Sequence, residues 1–454
     1  MAKHLGNQAV VIGGSMAGLM AARVLADYFA RVTILERDHI DGAPTLHKSI
    51  PQGHHLHTLL YGGQQVLSSL YPDFTERLHR LGAVRYRAGK EIVWFRPDGK
   101  TYSPTSTVRE PRDLGFDGYS QSRGLLEYCV RQCTLACPNV QLISGGTVQG
   151  LLYENGRVRG VRYTNLDGSH VLPADLVVDA GGRGSHVPRW LTDLGFQAPA
   201  ETTIGVDFAY ASTKFRIPDS YDDPERLLIF FGPPPHFPNG AIMEEIEEHT
   251  WHVSLAGRFG NYPPADEEGF LAFAKSLHSS RLYELVKDAE RVADIIPYRF
   301  PTSVQRHYER LTAFPEGLLV LGDAISSFNP VYGQGMSSAA LQVQALRQLL
   351  AERTVRSQGL EKVALAFFPK AAEVIATPWT LAANFDLAYP QTRGTRPPNL
   401  AESAQYFATL GTLAAEDVEL QRLMAEVFNL ARPLSVLREE PLRSQVLERQ
   451  RGQM

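Results

Sequence analysis

Residues 318–341 combine an acidic turn with a glycine-lined loop, between an apolar run and the start of a helix-like run. An aspartate after a strand can accept hydrogen bonds from the hydroxyls of a sugar or a similar chain. The unpaired N–H groups of a helix N-terminus favour a nearby negative charge. The spacing therefore suits a large anionic ligand that also carries hydroxyls. The candidate contacts are Gly322, Asp323, Pro330, Gly333, Gly335 and Met336.

A second glycine-rich turn lies near the N-terminus, in a strand–turn–helix–strand pattern that ends at Glu36. Glu36 stands eighteen residues past Gly18, close to the spacing of a carboxylate that binds a ribose. Ser15 replaces the middle glycine of the usual fingerprint, but serine is small and can donate to a phosphate. The unit predicts dinucleotide binding. Its turn consists of Gly13, Gly14, Ser15, Met16, Ala17 and Gly18.

The middle of the chain predicts the rest of the nucleotide-binding sheet. A helix-like run begins at Arg123, and a strand-like run covers residues 140–144. The Asn155–Gly156 pair between two β-rich runs is a strong hairpin signal. A further apolar strand-like run, 176–178, leads into a second glycine turn that contains Gly182. A parallel sheet with an inserted three-stranded meander is similar to the FAD-binding fold of the glutathione-reductase type.

The remaining segments predict two further regions. Residues 69–119 and 191–300 carry strand-like runs, and residues 266–289 read as one amphipathic helix. We expect an α/β protein in which a Rossmann-type FAD-binding domain is interleaved with a sheet-rich substrate domain. The FAD-binding domain would comprise residues 1–68, 120–190 and 301–350. Residues 351–454 would form a C-terminal helical region, broken at Pro369, Pro378, Pro390 and Pro397–Pro398.

Composition narrows the function classes. The chain has 454 residues, a net charge of −4 and a pI of about 6.4, with no basic stripe that would favour nucleic acid. The N-terminus carries no signal-peptide pattern, and no apolar run approaches the length of a membrane span. We therefore expect a cytoplasmic protein.

Two clusters of metal-ligand residue types have simpler interpretations. Cys129, Cys133 and Cys137 are spaced along one face of a predicted helix, which favours a packed stripe. His54, His55 and His57 have no acidic or cysteine partner at ligand spacing, which favours a loop that lines a cofactor. We expect no metal site.

The motifs together resemble the class A flavoprotein monooxygenases, which have the p-hydroxybenzoate hydroxylase fold. Within that superfamily the chain is most similar to the epoxidases of polyether antibiotic biosynthesis, of the lasalocid and monensin types. The similarity spans most of the chain. Its further motifs are Lys48-Ser-Ile-Pro-Gln52 with His55 and His57, Val177-Val-Asp179 with Gly182-Arg-Gly-Ser185, Phe328-Asn-Pro-Val-Tyr-Gly333, and Asp386-Leu-Ala-Tyr-Pro390.

The resemblance implies a role for each matching residue on the adenosine side of FAD. The turn 13–18 would hold the pyrophosphate, Glu36 the adenosine ribose, and the backbone of Val148 the adenine. Lys48 matches a position that reaches the FAD phosphates, and Arg123 matches the arginine beside the FAD phosphate and ribityl region. The other expected cofactor contacts are Arg37, Gln52 and Gly182.

At the flavin end, the resemblance places Asp323 at the ribityl chain or phosphate, and residues 333–336 at the pyrimidine edge of the flavin. In this family reduced FAD reacts with O2, and the resulting C4a-hydroperoxide transfers an oxygen atom. The protein needs no obligatory catalytic side chain for that chemistry, and we name none. An apolar substrate pocket would be lined by Phe230, Phe231, Trp251 and Phe259, although aromatic residues at such positions equally suit an ordinary sheet core.

Two departures from the family pattern concern the electron donor. Gly181 stands where hydroxylases that use NAD(P)H directly carry an aspartate, and Ser326 stands where the motif often has a histidine. NADPH or NADH is the expected donor, either directly or through a separate flavin reductase.

Three functions from different classes remain open. The first is epoxidation or hydroxylation of an apolar metabolite with O2. The second is reduction of carbon–carbon double bonds, since geranylgeranyl reductases share a loop similar to residues 329–335. The third is flavin binding without turnover. Flavin-dependent halogenases share the fold, but their Trp-x-Trp-x-Ile-Pro motif is absent, and the run beginning at Trp251 does not match it.

Overall fold

The computed structural model describes residues 4–44, 50–95, 97, 101–102 and 112–452. Within these ranges the strands are β1 (Gly6–Ile12), β2 (Phe29–Glu36), β3 (Val84–Arg87), β4 (Ile92–Phe95), β5 (Thr101–Tyr102), β6 (Asp117–Ser120), β7 (Val140–Ser144), β8 (Thr147–Glu154), β9 (Arg157–Asn165), β10 (Gly168–Pro173), β11 (Leu176–Asp179), β12 (Glu201–Arg216), β13 (Leu227–Ile229), β14 (Gly240–Ile246), β15 (Thr250–Arg258), β16 (Ile296–Arg306), β17 (Leu318–Val320) and β18 (Ser326–Ser327). The α-helices are α1 (Met16–Leu25), α2 (Tyr61–Leu70), α3 (Phe74–Arg80), α4 (Arg123–Leu135), α5 (Val187–Asp193), α6 (Glu267–Lys275), α7 (Arg281–Val286), α8 (Gly335–Val355), α9 (Val363–Leu387), α10 (Leu400–Glu416), α11 (Val418–Phe428) and α12 (Leu442–Arg451).

A five-stranded parallel sheet forms the core of the nucleotide-binding part, in the order β17-β11-β1-β2-β7. Its central strands are apolar runs with almost no solvent exposure, because helices cover both faces of a parallel sheet. The chain leaves β1 through a tight turn into α1, which packs against α4 and α8. The three-stranded antiparallel meander β8-β9-β10 is inserted before β11, as the Asn155–Gly156 signal predicts.

The second sheet has eight strands, in the order β18-β16-β12-β15-β14-β13-β4-β5. Side chains alternate between its two faces. Helices α6 and α7 cover the face that carries Phe230, Met243 and Trp251, and together they form a separate apolar core. The opposite face, which carries Ile229 and Ile242, lines a cavity.

Two expectations about helices are wrong. The single helix predicted for residues 266–289 is two helices, α6 and α7, separated by a serine-rich stretch at 276–280. Conversely, Pro369 and Pro378 do not break the C-terminal region, because both lie inside the continuous helix α9. A proline inside a helix costs about 3 kcal/mol, and the buried apolar residues of α9, Phe367 and Phe368 among them, offset that cost.

The parallel core, the sheet-rich region and the C-terminal helices confirm the predicted α/β fold class. The domain boundaries remain predictions, since β16 pairs with β12 across the boundary expected at residue 300. In the ranges described above, none of the helices combines the length and apolar character that crossing a membrane requires.

Candidate active site

The turn after β1 packs closely against neighbouring backbone, so that two of its positions have no room for a side chain. Gly13 adopts φ +101°, and a Cβ there would lie 2.6 Å from the carbonyl oxygen of Ala180. A Cβ on Gly18 would lie 1.9 Å from the carbonyl oxygen of Gly13. Ser15 begins α1 without capping it through its side chain. The first N–H groups of α1 therefore have no side-chain cap and remain available to a ligand.

Glu36 ties this turn to the end of β2. One carboxylate oxygen accepts from the backbone N–H of Gly14 at 2.7 Å, and the other accepts from that of Asp38 at 2.9 Å. The side chain is only 5% exposed. The carboxylate therefore fixes the turn in addition to facing the cavity beside it, and its neighbour Arg37 lines the same cavity.

Arg123, the first residue of α4, lies beside Ser15. Its Nη2 donates to the Ser15 hydroxyl at 2.8 Å and to the Glu127 carboxylate at 2.7 Å. Both charged side chains are buried. Nη1 is also buried and has no hydrogen-bond partner among the described residues. A buried guanidinium N–H beside a helix N-terminus fits a phosphate oxygen.

Asp323 follows β17 and lies half-buried near the start of α8. Burial raises the pKa of its carboxyl to about 6, and the positive charges of Arg183 and Arg123 act in the opposite direction. The turn before it is held by Gly322, whose N–H donates to the Gln342 side chain at 2.8 Å. The carboxylate therefore faces a partly desolvated space in which a hydroxyl donor would be a favourable partner.

Asp179 organises the second glycine turn. One oxygen accepts from the N–H of Gly181 at 3.0 Å, and the other accepts from the Ser185 hydroxyl. An aspartate two residues before Gly181 therefore holds this loop. Arg183, which follows in the loop, stacks its guanidinium on the Phe300 ring at 4.9 Å.

These elements enclose one long groove with a volume of about 420 Å³. Most of the predicted cofactor residues line it. They are Gly13, Ser15, Met16, Ala17, Glu36, Arg37, Gln52, Arg123, Val148, Gly182, Asp323, Pro330, Gly333, Gly335 and Met336. Gly14, Gly18 and Gly322 do not line the groove, and Lys48 lies outside the described residues. Sequence reasoning did not single out Trp190, Tyr298 and Phe300, which also line the groove, because isolated aromatic residues carry no motif.

A second cavity, the chamber, adjoins the groove and has a volume of about 230 Å³. The two cavities share wall residues from two segments, 52–58 and 330–333. The chamber wall is mainly apolar, and no Asp, Glu, Lys or Arg belongs to it among the described residues. Of the predicted substrate residues, Phe231 lines the chamber, Phe230 and Trp251 lie in the core beneath α6, and Phe259 packs on Tyr389 at a ring distance of 5.8 Å.

Two histidines of segment 52–58, His55 and His57, lie near the boundary between the groove and the chamber, which we call the seam. His57 lines both cavities, and its Nδ1 donates to the carbonyl of His55 at 2.8 Å. A carbonyl only accepts, so Nδ1 carries the proton and Nε2 of the neutral ring is an acceptor. Burial lowers the pKa of His57 to about 4 and that of His55 to about 3. Both rings are therefore neutral at pH 7, and the seam presents polarity without charge.

Comparison with known proteins identifies the family that the chain matches. A model described as FAD dependent oxidoreductase matches residues 8–206. Protein Rv3254 of Mycobacterium tuberculosis is 33% identical over 369 residues, which cover 79% of this chain and 77% of that protein. Squalene epoxidase 4 of Arabidopsis thaliana is 25% identical over 75% of this chain and 61% of its own length. Digeranylgeranylglycerophospholipid reductase 2 of Methanopyrus kandleri is 25% identical, over 76% of each chain.

Solved structures share the fold at low identity. The flavin-dependent brominase Bmp2 superimposes with a TM-score of 0.70 at 14% identity, over 98% of this chain and all of that one. The p-nitrophenol 4-monooxygenase PnpA of Pseudomonas putida gives a TM-score of 0.65 at 16% identity, over 94% of this chain and 99% of its own. At this identity the likeness establishes the architecture alone.

Proposed function

Because the chain belongs to the FAD-dependent oxidoreductases, we propose that it is a monooxygenase that inserts one oxygen atom of O2 into a neutral, apolar metabolite. The reaction class is epoxidation or hydroxylation. The observation that carries the proposal is the uncharged chamber, which shares two wall segments with the groove. A substrate there would lie directly against a cofactor in the groove.

The groove residues fit FAD. The unpartnered Nη1 of Arg123, with Ser15 and the uncapped start of α1, suits the diphosphate. Glu36, Arg37 and the meander residue Val148, which also line the groove, would hold the adenosine. Asp323 and the start of α8 would hold the ribityl chain and the flavin. When bound and reduced, FAD supplies the electrons and the oxygen activation for the reaction.

The chain's own residues provide the environment for that chemistry. The N-terminus of α8 offers unpaired N–H groups that stabilise negative charge on the flavin side of the groove. The apolar chamber wall excludes water from the reacting carbon. The neutral histidines at the seam add hydrogen-bonding capacity without a charge that an apolar substrate would have to displace.

The chamber limits the substrate class. Its wall includes Leu114, Phe116, Ile229, Phe231 and Ile242, and no charged side chain among the described residues. An ionised substrate group buried there would lack a partner, which is strongly unfavourable. An engineered cavity of roughly 150 Å³ holds benzene, so a volume of about 230 Å³ accepts the reacting part of a larger hydrocarbon.

The electron donor is a second part of the proposal. We infer that NADPH or NADH provides the electrons, with a separate flavin reductase as the faster route. Gly181 offers no carboxylate to the loop beside the flavin, and the nearby Asp179 is already engaged by Gly181 and Ser185.

One alternative function has an observation in its favour. The chain is 25% identical to a digeranylgeranylglycerophospholipid reductase over 76% of its length. Residues 329–335 also resemble the Asn-Pro-x-x-Gly-x-Gly loop of the geranylgeranyl reductases. Reduction of a carbon–carbon double bond would use the same groove and chamber but would consume no O2.

Oxygen labelling separates the two functions. The purified protein is loaded with FAD, supplied with NADPH and a flavin reductase, and given a panel of neutral polyenes and phenols under 18O2. A monooxygenase yields products that contain one 18O atom, with O2 consumption that depends on the polyene or phenol. Products that gain two hydrogens and no 18O, under air or argon alike, would establish the reductase instead.

A further inference from the structure

The loop from Asn329 to Gly333, which we name the partition loop, separates the two cavities. Pro330 and Gly333 line both the groove and the chamber, while Val331 and Tyr332 line the chamber only. The loop is a single 3-10 turn that Gly333 ends in the left-handed region, at φ +64°. So short an element has few internal hydrogen bonds to hold its shape, so its position depends on what lies behind it.

Asp386, near the end of α9, lies behind the partition loop. Its Oδ1 accepts from the Tyr332 hydroxyl at 2.7 Å and from the Asn329 side-chain amide at 3.0 Å. The carboxylate is 1% exposed, and Asn329 has no exposed surface. Two donors from opposite ends of the loop therefore converge on one oxygen of a helix 54 or more residues away in sequence.

Arg258, at the end of β15, completes the cluster. Its Nη1 lies 2.8 Å from the same Asp386 oxygen, and its Nη2 donates to the Tyr332 hydroxyl at 3.3 Å. The guanidinium carbon lies 4.5 Å from the centroid of the Phe208 ring and 4.8 Å from that of the Tyr389 ring. The positive charge neutralises the buried carboxylate, so the cluster carries no net charge from these two groups.

The direction of these contacts argues for more than a buried ion pair. An ion pair that only joined α9 to β15 would need no contact with the loop. Here both loop side chains donate to Asp386, while its other oxygen, Oδ2, is buried without a partner in the described part of the chain. The hydrogen bonds of the carboxylate are therefore concentrated on the oxygen that faces the loop.

Building on the proposed FAD site, we propose that Asp386 is a positioning residue that fixes the partition loop against the flavin and thereby sets the boundary between cofactor and substrate. The C-terminal helices therefore contribute to the active site through this carboxylate as well as through the chamber residue Asn429, although Asp386 itself lines neither cavity. From these contacts we expect that replacing Asp386 loosens residues 330–333 and weakens FAD binding.

The test separates positioning from charge balance. Asp386→Leu removes both carboxylate oxygens and leaves Arg258 buried without its counter-ion, so the FAD-free variant should unfold more easily. The double variant Asp386→Leu with Arg258→Met removes both charges and should recover part of that stability. If Asp386 positions the loop, the double variant still binds FAD at least about tenfold more weakly than the unmodified protein, as expected for lost hydrogen bonds to a charged group. The visible spectrum of its bound flavin should also be shifted.

Two further variants keep the result interpretable. Tyr332→Phe removes only the loop's hydroxyl and should weaken FAD binding without a loss of stability comparable to that of Asp386→Leu. Asp175→Leu is the matched control, because Asp175 accepts from the N–H groups of Asn7 and Gln8 at the end of β1 remote from Gly13. It should lower stability and leave FAD affinity unchanged.

The inference is overturned if the double variant regains both stability and unmodified FAD affinity, since Asp386 would then only balance Arg258. It is equally overturned if Tyr332→Phe and the double variant bind FAD as tightly as the Asp175→Leu control. Failure of the unmodified protein to bind FAD would instead refute the proposed function, which is a separate readout of the same titration.

Discussion

Glu244 should make the stability of this protein fall as the pH rises from 6 to 9. The residue lies on β14 with no exposed surface, next to the chamber residue Ile242 on the same sheet face. Within the described part of the chain, its hydrogen-bond partners are the hydroxyls of Ser120 and Thr58, at 3.3 and 3.4 Å to one oxygen. The other oxygen is buried without a partner among the described residues. Burial, reinforced by the negative charge of Glu247, raises the pKa of Glu244 to about 8.

The sign and size of the effect follow from proton binding. In the unfolded chain the carboxyl loses its proton near its ordinary pKa of 4.5, whereas the folded protein keeps it to about pH 8. The folded state therefore binds more protons in this window, and stability falls as pH rises. Between pH 6 and pH 9 the difference integrates to about 2 to 3 kcal/mol of unfolding free energy.

Denaturant unfolding of the FAD-free unmodified protein and of Glu244→Gln, each at pH 6 and pH 9, isolates this contribution, because the opposite effect of the lowered histidine pKa values of His55 and His57 is common to both proteins. Glu244→Gln keeps the shape and cannot ionise, so it should lack about 2 to 3 kcal/mol of the pH-dependent loss. Glu268→Gln, on the exposed side of α6, is the control and should behave as the unmodified protein does. If Glu244→Gln shows the same change between the two pH values as the unmodified protein, the carboxyl is ionised throughout and the reasoning is wrong.

Three further predictions concern the cofactor. Glu36→Ala loses the acceptor for Gly14 and Asp38 and any contact with the ribose, so FAD affinity measured by fluorescence titration should fall by about 1.5 to 3 kcal/mol; unchanged affinity with collapsed turnover would contradict this. Asp323→Ala should emerge from purification largely without flavin, judged by the absorbance ratio, and full occupancy with full activity would mean that Asp323 is only a turn residue. NADPH alone should reduce the bound flavin slowly in anaerobic stopped-flow, and reduction as fast as overall turnover would show that no reductase is needed.

Local chemistry explains why much of the fold could be predicted. The glycine turn at 13–18, the carboxylate at Glu36 and the Asn155–Gly156 hairpin depend on residues close together in sequence, and the structure forms each of these elements. The strand β17 and the helix α8, which flank Asp323, could be predicted for the same reason, because their signals also lie close together in sequence.

Tertiary packing explains what could not be predicted. Neighbouring residues Phe230 and Phe231 point to opposite faces of a sheet, and only the register of β13 beside β14 decides which face lines the chamber. The prolines of α9 are tolerated because the helix is buried along much of its length. The cluster of Arg258, Tyr332 and Asp386 joins three distant segments, and no short motif could reveal it.

We infer that the groove holds one FAD per chain next to the chamber. To test this, FAD-free protein is titrated with FAD while the visible spectrum is followed, and the complex is then heated and the released flavin is identified by chromatography. We expect saturation at one FAD per chain and quantitative release of unmodified FAD, because no covalent link is expected. A protein that stays colourless, and cannot be reconstituted with FAD at any concentration tested, would show that the groove does not hold FAD.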